Sequence, residues 1–168
     1  MTPADRSSLL TKLEAGRTAL LSSVQGLSDC EASTKPPDGG WSAIQNIEHL
    51  AKVERNLMRN IRSSSRIEGE PAPGREEMLY ARVQQRDKKI QAPPAAQPEG
   101  DCANIADALA RFDAARADTL AFIESCDYDL RLRSTTHPLL GPVTVCECLH
   151  PIAAHPIRHA AQIRELRA

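Results

Sequence analysis

The stretch from Trp41 to Ile61 reads WSAIQNIEHLAKVERNLMRNI. Ile44, Ile47, Leu50, Val53, Leu57, Met58 and Ile61 return to one face with a period near 3.6, which predicts an amphipathic helix running to about Ser64. Ser42 followed three residues later by Gln45 forms a capping box that sets its start. At about 100° of rotation per residue, His49 falls about 40° from Val53, at the border of the apolar stripe. Asn46, Asn56 and Asn60 share that border. This helix therefore carries a polar seam beside its core face, where a site can sit.

Working outward, three more helices have the same signature. Thr2-Pro3-Ala4-Asp5 reads as a capped start, and Leu9, Leu10, Leu13, Leu20, Leu21 and Val24 follow before a stop at Gly26. Ile105, Leu109, Phe112, Leu120 and Ile123 keep helical spacing behind Asp101 or Asn104 as cap. Arg116 interrupts that face; its stem is expected to pack while its charged head reaches water, with a polar contact near a site as the alternative. Thr144 and Glu147 make a further capping box, and Leu149, Ile152, Ala153, Ile157, Ala160 and Ile163 line the last helix. Pro151 and Pro156 lie inside that helix. Proline removes a hydrogen bond and biases the preceding residue away from helical dihedrals, so a kink is expected between Pro151 and Pro156.

Between these segments, residues 28–40 are rich in Ser, Pro and Gly and predict a loop. Residues 127–142 read as irregular. Prolines and glycines break the chain from Gly69 to Gly74 and from Pro93 to Gly100, with room for a short amphipathic helix over Glu76–Ile90. No alternating strand pattern is present. The expected fold is all-α: a four-helix bundle in one domain spanning residues 1–168, with a long crossover between the second and third helices.

Composition narrows the function. A net charge of -1 gives no electrostatic basis for binding nucleic acid or an acidic membrane surface. Aromatic residues are only 3%, which weakens a base-stacking or β-sandwich reading. No apolar run reaches the roughly 20 residues of a membrane span, and no signal pattern follows Asp5 and Arg6. Five irregularly spaced cysteines argue against a disulfide framework, so a reducing cytoplasm is the expected location. Arg62, Arg66, Arg82, Arg86, Lys88 and Lys89 are scattered among acids and read as solvated surface.

The chemistry rests on histidine. His155 and His159 stand four apart and lie on one helix face, so both imidazoles can point at a common spot. His49 on a facing helix would complete a three-histidine set with open positions for water or substrate. Neutral imidazole suits Zn, Ni, Cu and Fe alike. The bland alternative is three separate, hydrogen-bonded histidines at stripe borders. Glu147 and His150 form one Glu-x-x-His, but a di-iron bundle needs a second copy, which is absent. Cys146 and Cys148 sit about 200° apart on a helix and read as packing residues. His137 and His150 each precede a proline and read as structural.

These residues also resemble a known family. Trp41-Ser42 with Glu48-His49-Leu50, then His137-Pro138-Leu139-Leu140-Gly141-Pro142-Val143-Thr144, then His155, His159 and Gln162 are similar, in that order, to motifs of the DinB/YfiT-like superfamily. The resemblance implies a four-helix bundle with a long crossover and a divalent ion, often Zn or Ni, held by three histidines. It also implies activities such as thiol-dependent transfer or isomerisation with a low-molecular-weight thiol, or metal-dependent hydrolysis. The expected function is therefore a metal-dependent enzyme acting on a small-molecule substrate, with His49, His155 and His159 as ligands and Gln162 as a substrate or ligand contact. No membrane or nucleic-acid partner is expected, and a homodimer is compatible with the sequence. The alternative is a metal-binding or helical dimerisation module without catalysis.

Overall fold

The computed structural model describes residues 1–70, 74–87 and 90–167. In chain order its elements are α1 (Pro3–Val24), α2 (Asp29–Ser33), α3 (Ala43–Arg62), β1 (Ser65–Arg66), α4 (Glu76–Gln84), α5 (Ile105–Ser125), β2 (Arg133–His137), β3 (Gly141–Thr144) and α6 (Val145–Glu165). Single 3₁₀ turns occupy Pro94–Ala96 and Leu130–Leu132. Four long helices, α1, α3, α5 and α6, make the bundle. Reciprocal capping boxes start three of them, through Thr2 and Asp5, Ser42 and Gln45, and Thr144 and Glu147. Asn104, rather than Asp101, caps α5.

Several expectations need correction. Residues 28–40 are not wholly loop: Ser28 and Glu31 form a fourth capping box, enough to close the short helix α2. The irregular stretch contains a hairpin, and β1 joins it in a three-stranded antiparallel sheet of order β1-β2-β3. Ser65 pairs with Ser134, and Ser134 in turn with Thr144. The strands are two, five and four residues long, too short to display an alternating pattern. The helix expected over Glu76–Ile90 ends at Gln84. Residues 71, 73, 88 and 89, with the chain breaks and surface charges expected there, lie outside the described residues.

The core is divided into two apolar clusters. One gathers Leu9, Leu13, Leu57, Met58, Ile61, Ile123, Leu149 and Ile152; the other gathers Leu20, Ile44, Ile47, Leu50, Phe112 and Ile163. On every long helix the boundary between them falls at an unusual residue: Gly16, Glu54, Arg116 and the His155–Pro156 pair. Arg116 does not reach water, as the sequence suggested. It is 2% exposed, and its guanidinium meets the Glu54 carboxylate side-on, Nε to Oε1 at 3.0 Å and Nη2 to Oε2 at 2.9 Å. Thr119 Oγ1 donates to the same carboxylate at 2.7 Å, and Arg116 Nη1 donates to the Leu13 carbonyl at 2.7 Å. Burial pushes the Glu54 carboxyl above its ordinary value, and the guanidinium opposes that shift.

This layer also answers Pro156, the second of the two prolines. α6 runs unbroken through Pro151 and Pro156. Pro156 has no N–H to give the Ile152 carbonyl four residues back, and Arg116 Nη2 supplies a donor there at 3.4 Å. Gly16 lets α1 lie against this part of α6: a Cβ added at residue 16 would stand 2.5 Å from the Ala153 carbonyl oxygen. Replacing Arg116 by Met strands the Glu54 carboxylate in the core. We expect Arg116→Met to lose about 3–5 kcal/mol of unfolding free energy in urea titrations. A loss below 1 kcal/mol would mean that the layer does not hold the bundle.

Candidate metal centre

His49 lies in the second turn of α3, while His155 and His159 lie one turn apart on the C-terminal part of α6. Folding brings the three together. His49 Nε2 stands 3.4 Å from His155 Nε2, and His159 Nε2 stands 3.0 Å from that same atom. One ligand nitrogen from each ring lies within 4.8 Å of the other two. Two of the rings, His49 and His159, are buried, and His155 keeps partial exposure at the edge.

The protonation of two rings follows from their partners. A carbonyl oxygen can only accept, so His49 Nδ1, 2.6 Å from the Ala96 oxygen, carries the proton. Asn46 Nδ2 donates to the carbonyls of Trp41 and Ser42 at 3.2 and 2.9 Å, which leaves Oδ1 facing His159 Nδ1 at 2.7 Å. That nitrogen is therefore a donor too. Both rings turn an unprotonated Nε2 toward His155. Lone pairs so close repel unless a shared proton or a cation lies between them. Four-coordinate sites with metal–nitrogen bonds of about 2.0–2.1 Å hold neighbouring nitrogens about 3.3 Å apart. The two separations measured here bracket that value, so the donor set fits a divalent transition metal.

Electrostatics point the same way. Burial lowers the pKa of all three rings, opposed at His49 by the Ala96 hydrogen bond. For His155 and His159 the shift takes them well below the ordinary value of 6.5, with the neighbouring rings adding to it. Near neutral pH the set is uncharged and ready to ligate. The indole of Trp41 covers it, with ring centroids 4.7 Å from His49 and 6.3 Å from His159.

The remaining candidates separate clearly. Gln162 does not hydrogen-bond the triad; its Oε1 accepts from Arg86 Nη1 at 3.4 Å, beside the Arg86–Glu165 ion pair. His137 Nδ1 accepts the amides of Leu139 and Leu140 at 3.1 and 3.3 Å, pinning the β2–β3 turn ahead of Gly141 at φ +71°. His150 Nδ1 bonds the Cys146 carbonyl at 3.0 Å within its own helix. Glu147 is consumed by its capping box and by Arg75, which hold its carboxyl down to about 2 even though burial acts the other way. Burial pushes both Cys146 and Cys148 thiols up to about 12, far from a reactive thiolate.

Sequence reasoning missed the residues that aim the ligands. Asn46 stood on the polar seam with no task assigned, and Trp41 entered only as part of a motif. The seam was itself the signal: Asn56 Nδ2 donates to the Ala95 carbonyl at 3.2 Å and Asn60 Nδ2 to that of Thr136 at 3.3 Å, so each border amide anchors something. The Ala96 carbonyl had no signal, because any residue type supplies one.

Known proteins match this chain along most of its length. It is 26% identical over 144 residues to the uncharacterized protein YuaE of Bacillus subtilis (strain 168), covering 86% of this chain and 88% of that one. Among solved structures, TT2238, a four-helix bundle protein, superposes with a TM-score of 0.64 at 21% identity, covering 95% of this chain and 98% of its own. YfiT from Bacillus subtilis, a probable metal-dependent hydrolase with an unusual four-helix bundle topology, superposes with a TM-score of 0.60 at 20% identity, covering 99% and 87%. At these identities the two structures establish the fold alone. The family model of the DinB superfamily matches residues 12–163, and the chain belongs to that superfamily.

Proposed function

We propose that this chain is a metal-dependent enzyme whose His49, His155 and His159 hold one divalent ion, Zn or Ni, and act on a small-molecule substrate. The observation that carries the reading is the convergence of three neutral imidazoles with two Nδ1 protons already committed outward. When bound, such an ion lowers the pKa of a coordinated water or thiol and so supplies an anionic nucleophile near neutral pH. The chain's own contribution is to hold three ligands and leave the remaining positions open. The buried carboxylates of α3 are not available as general bases: Glu48 accepts two backbone amides and Glu54 is paired with Arg116. Trp41 shields one side of the set from water. The description of YfiT as a probable metal-dependent hydrolase favours hydrolysis, and the motif resemblance favours transfer to a low-molecular-weight thiol.

Mass-spectrometric metal analysis of the purified protein tests the ligands. One equivalent of metal per chain is expected, falling below one tenth in His49→Ala and in His159→Ala. Unchanged metal in both variants would remove the site. Ester, amide and thiol-transfer assays on the loaded protein then choose the reaction. Metal without turnover in any of them would leave a binding module.

The same rings set a pH response in the chelator-treated protein. Their folded pKa values lie below 6.5, so the unfolded chain takes up protons that the folded chain refuses. Stability is full above about pH 6.5 and declines as the pH falls below it. Each ring contributes a slope of up to about 1.4 kcal/mol per pH unit. Urea midpoints at pH 7.5, 6.0 and 5.0 should drop in the wild type and drop less in His155→Gln. Parallel curves for the two proteins would contradict the burial of an uncharged triad.

A further inference from the structure

Resting on that metal reading, we propose that Glu48 is a positioning residue that sets the metal affinity of His49 through the segment Pro93–Gly100. This segment belongs to the crossover between α3 and α5. It is stiffened by Pro93, Pro94 and Pro98, whose rings fix φ. It is tied to one side of α3 almost wholly through its backbone. Asn56 Nδ2 donates to the Ala95 carbonyl at 3.2 Å, and Lys52 Nζ to the Gln97 carbonyl at 2.8 Å. Between those two, the Ala96 carbonyl accepts the His49 Nδ1 proton at 2.6 Å.

Glu48 closes the far end. Its side chain is buried, and its two oxygens accept the amides of Glu99 at 2.8 Å and Gly100 at 3.0 Å. Charge-assisted bonds of this kind are stronger and more directional than neutral ones. Gly100 adopts φ +83°, the left-handed region open to glycine, as the chain turns both amides onto the carboxylate. Among the described residues, this buried carboxylate beside a ligand histidine thus binds neither that histidine nor a cation. It fixes the segment whose carbonyl selects the tautomer and rotation of the ring. Partners of this kind, once removed, cost about 10–100-fold in metal affinity.

The test uses the full chain and Zn(II), with affinity read by competition against a chromophoric chelator. Glu48→Gln keeps the shape but points amide hydrogens at a backbone N–H. It should weaken Zn(II) binding about 10–100-fold, as should Asn46→Ala at His159. Gly100→Ala strains the same junction from the other strand of chain, and its added Cβ meets nothing within 4 Å, so weakening there reports the turn and not a clash. Arg17→Ala breaks the half-buried ion pair with Asp113 elsewhere on the bundle and should leave affinity unchanged.

A second readout needs no metal. The His49 Nδ1 proton, protected in the chelator-treated wild type, should exchange rapidly in Glu48→Gln. Wild-type affinity in both Glu48→Gln and Gly100→Ala, or equal weakening by Arg17→Ala, would overturn the proposal. So would an unchanged Nδ1 exchange rate in Glu48→Gln. A wild type that takes up no Zn(II) would instead sink the metal reading, and the proton exchange would still decide the role of Glu48.

Discussion

A guanidinium inside a helical bundle has nowhere to put its charge except on another buried group, and the bundle is built around the place where Arg116 does so. Four hydrogen bonds run from it to a carboxylate, the Leu13 carbonyl and the Ile152 carbonyl, and so reach three other helices at once: Glu54 on α3, Leu13 on α1 and Ile152 on α6. Buried pairs of this kind seldom add stability over well-packed apolar side chains, because desolvation offsets the attraction. What the pair supplies here is register. Sliding any of the four helices by a turn would leave a charge or a carbonyl unpartnered, at a cost several times larger than misplacing one leucine. The apolar clusters above and below can then be filled by Leu and Ile without much demand on their shapes.

The histidines inherit that register. His155 is one turn beyond Ile152 and His49 one turn before Val53 and Glu54, so on both helices a ligand stands about one turn from the group that Arg116 binds. A small cavity is lined by Glu54, Ile152, His155 and Pro156 together. Holding three neutral imidazoles against one another is unfavourable in itself, since burial strips their hydration and their lone pairs oppose. Such an arrangement persists only where surrounding structure over-determines it. Here the enforcement comes from a side-chain amide on α3, itself held by the Trp41 and Ser42 carbonyls, from a backbone carbonyl on the crossover, itself held by the polar ties of that segment to α3, and from the indole of Trp41.

The parts of this design that a sequence can display are those with a period or a fixed offset. Three capping boxes, apolar residues at helical spacing and three histidines at stripe borders foretold the bundle and the residues that meet in it. The misses share a physical cause. Arg116 looked like a snorkelling side chain because its partner Glu54 lies 62 residues away and offers no local mark. The hairpin stayed hidden because its strands are too short for alternation to be counted. The segment carrying Ala96 was legible as a break in regular structure, yet its contribution is made by carbonyls and amides, which every residue possesses. Asn46 was the intermediate case: its place on the seam was readable, its partner 113 residues on was not.

The proline between the two paired ligands sits where these themes join. In an isolated helix Pro156 would bend the chain and leave the Ile152 carbonyl bare. In this bundle the carbonyl is given to Arg116, while the Pro156 ring lies 3.6 Å from the position a Cβ would take on Gly16 of α1. Both consequences of the proline, a missing donor and a bulky ring, are therefore met by groups already required by the polar layer. A side chain at residue 16 would press on the Ala153 carbonyl oxygen, 2.5 Å from an added Cβ, and α6 would have to shift relative to α3. Because His155 and His159 ride on α6 and His49 on α3, such a shift changes the separation of the ligand nitrogens. Packing against α1, on the far side of α6 in sequence and chemistry, is in this way part of the geometry of the candidate metal centre.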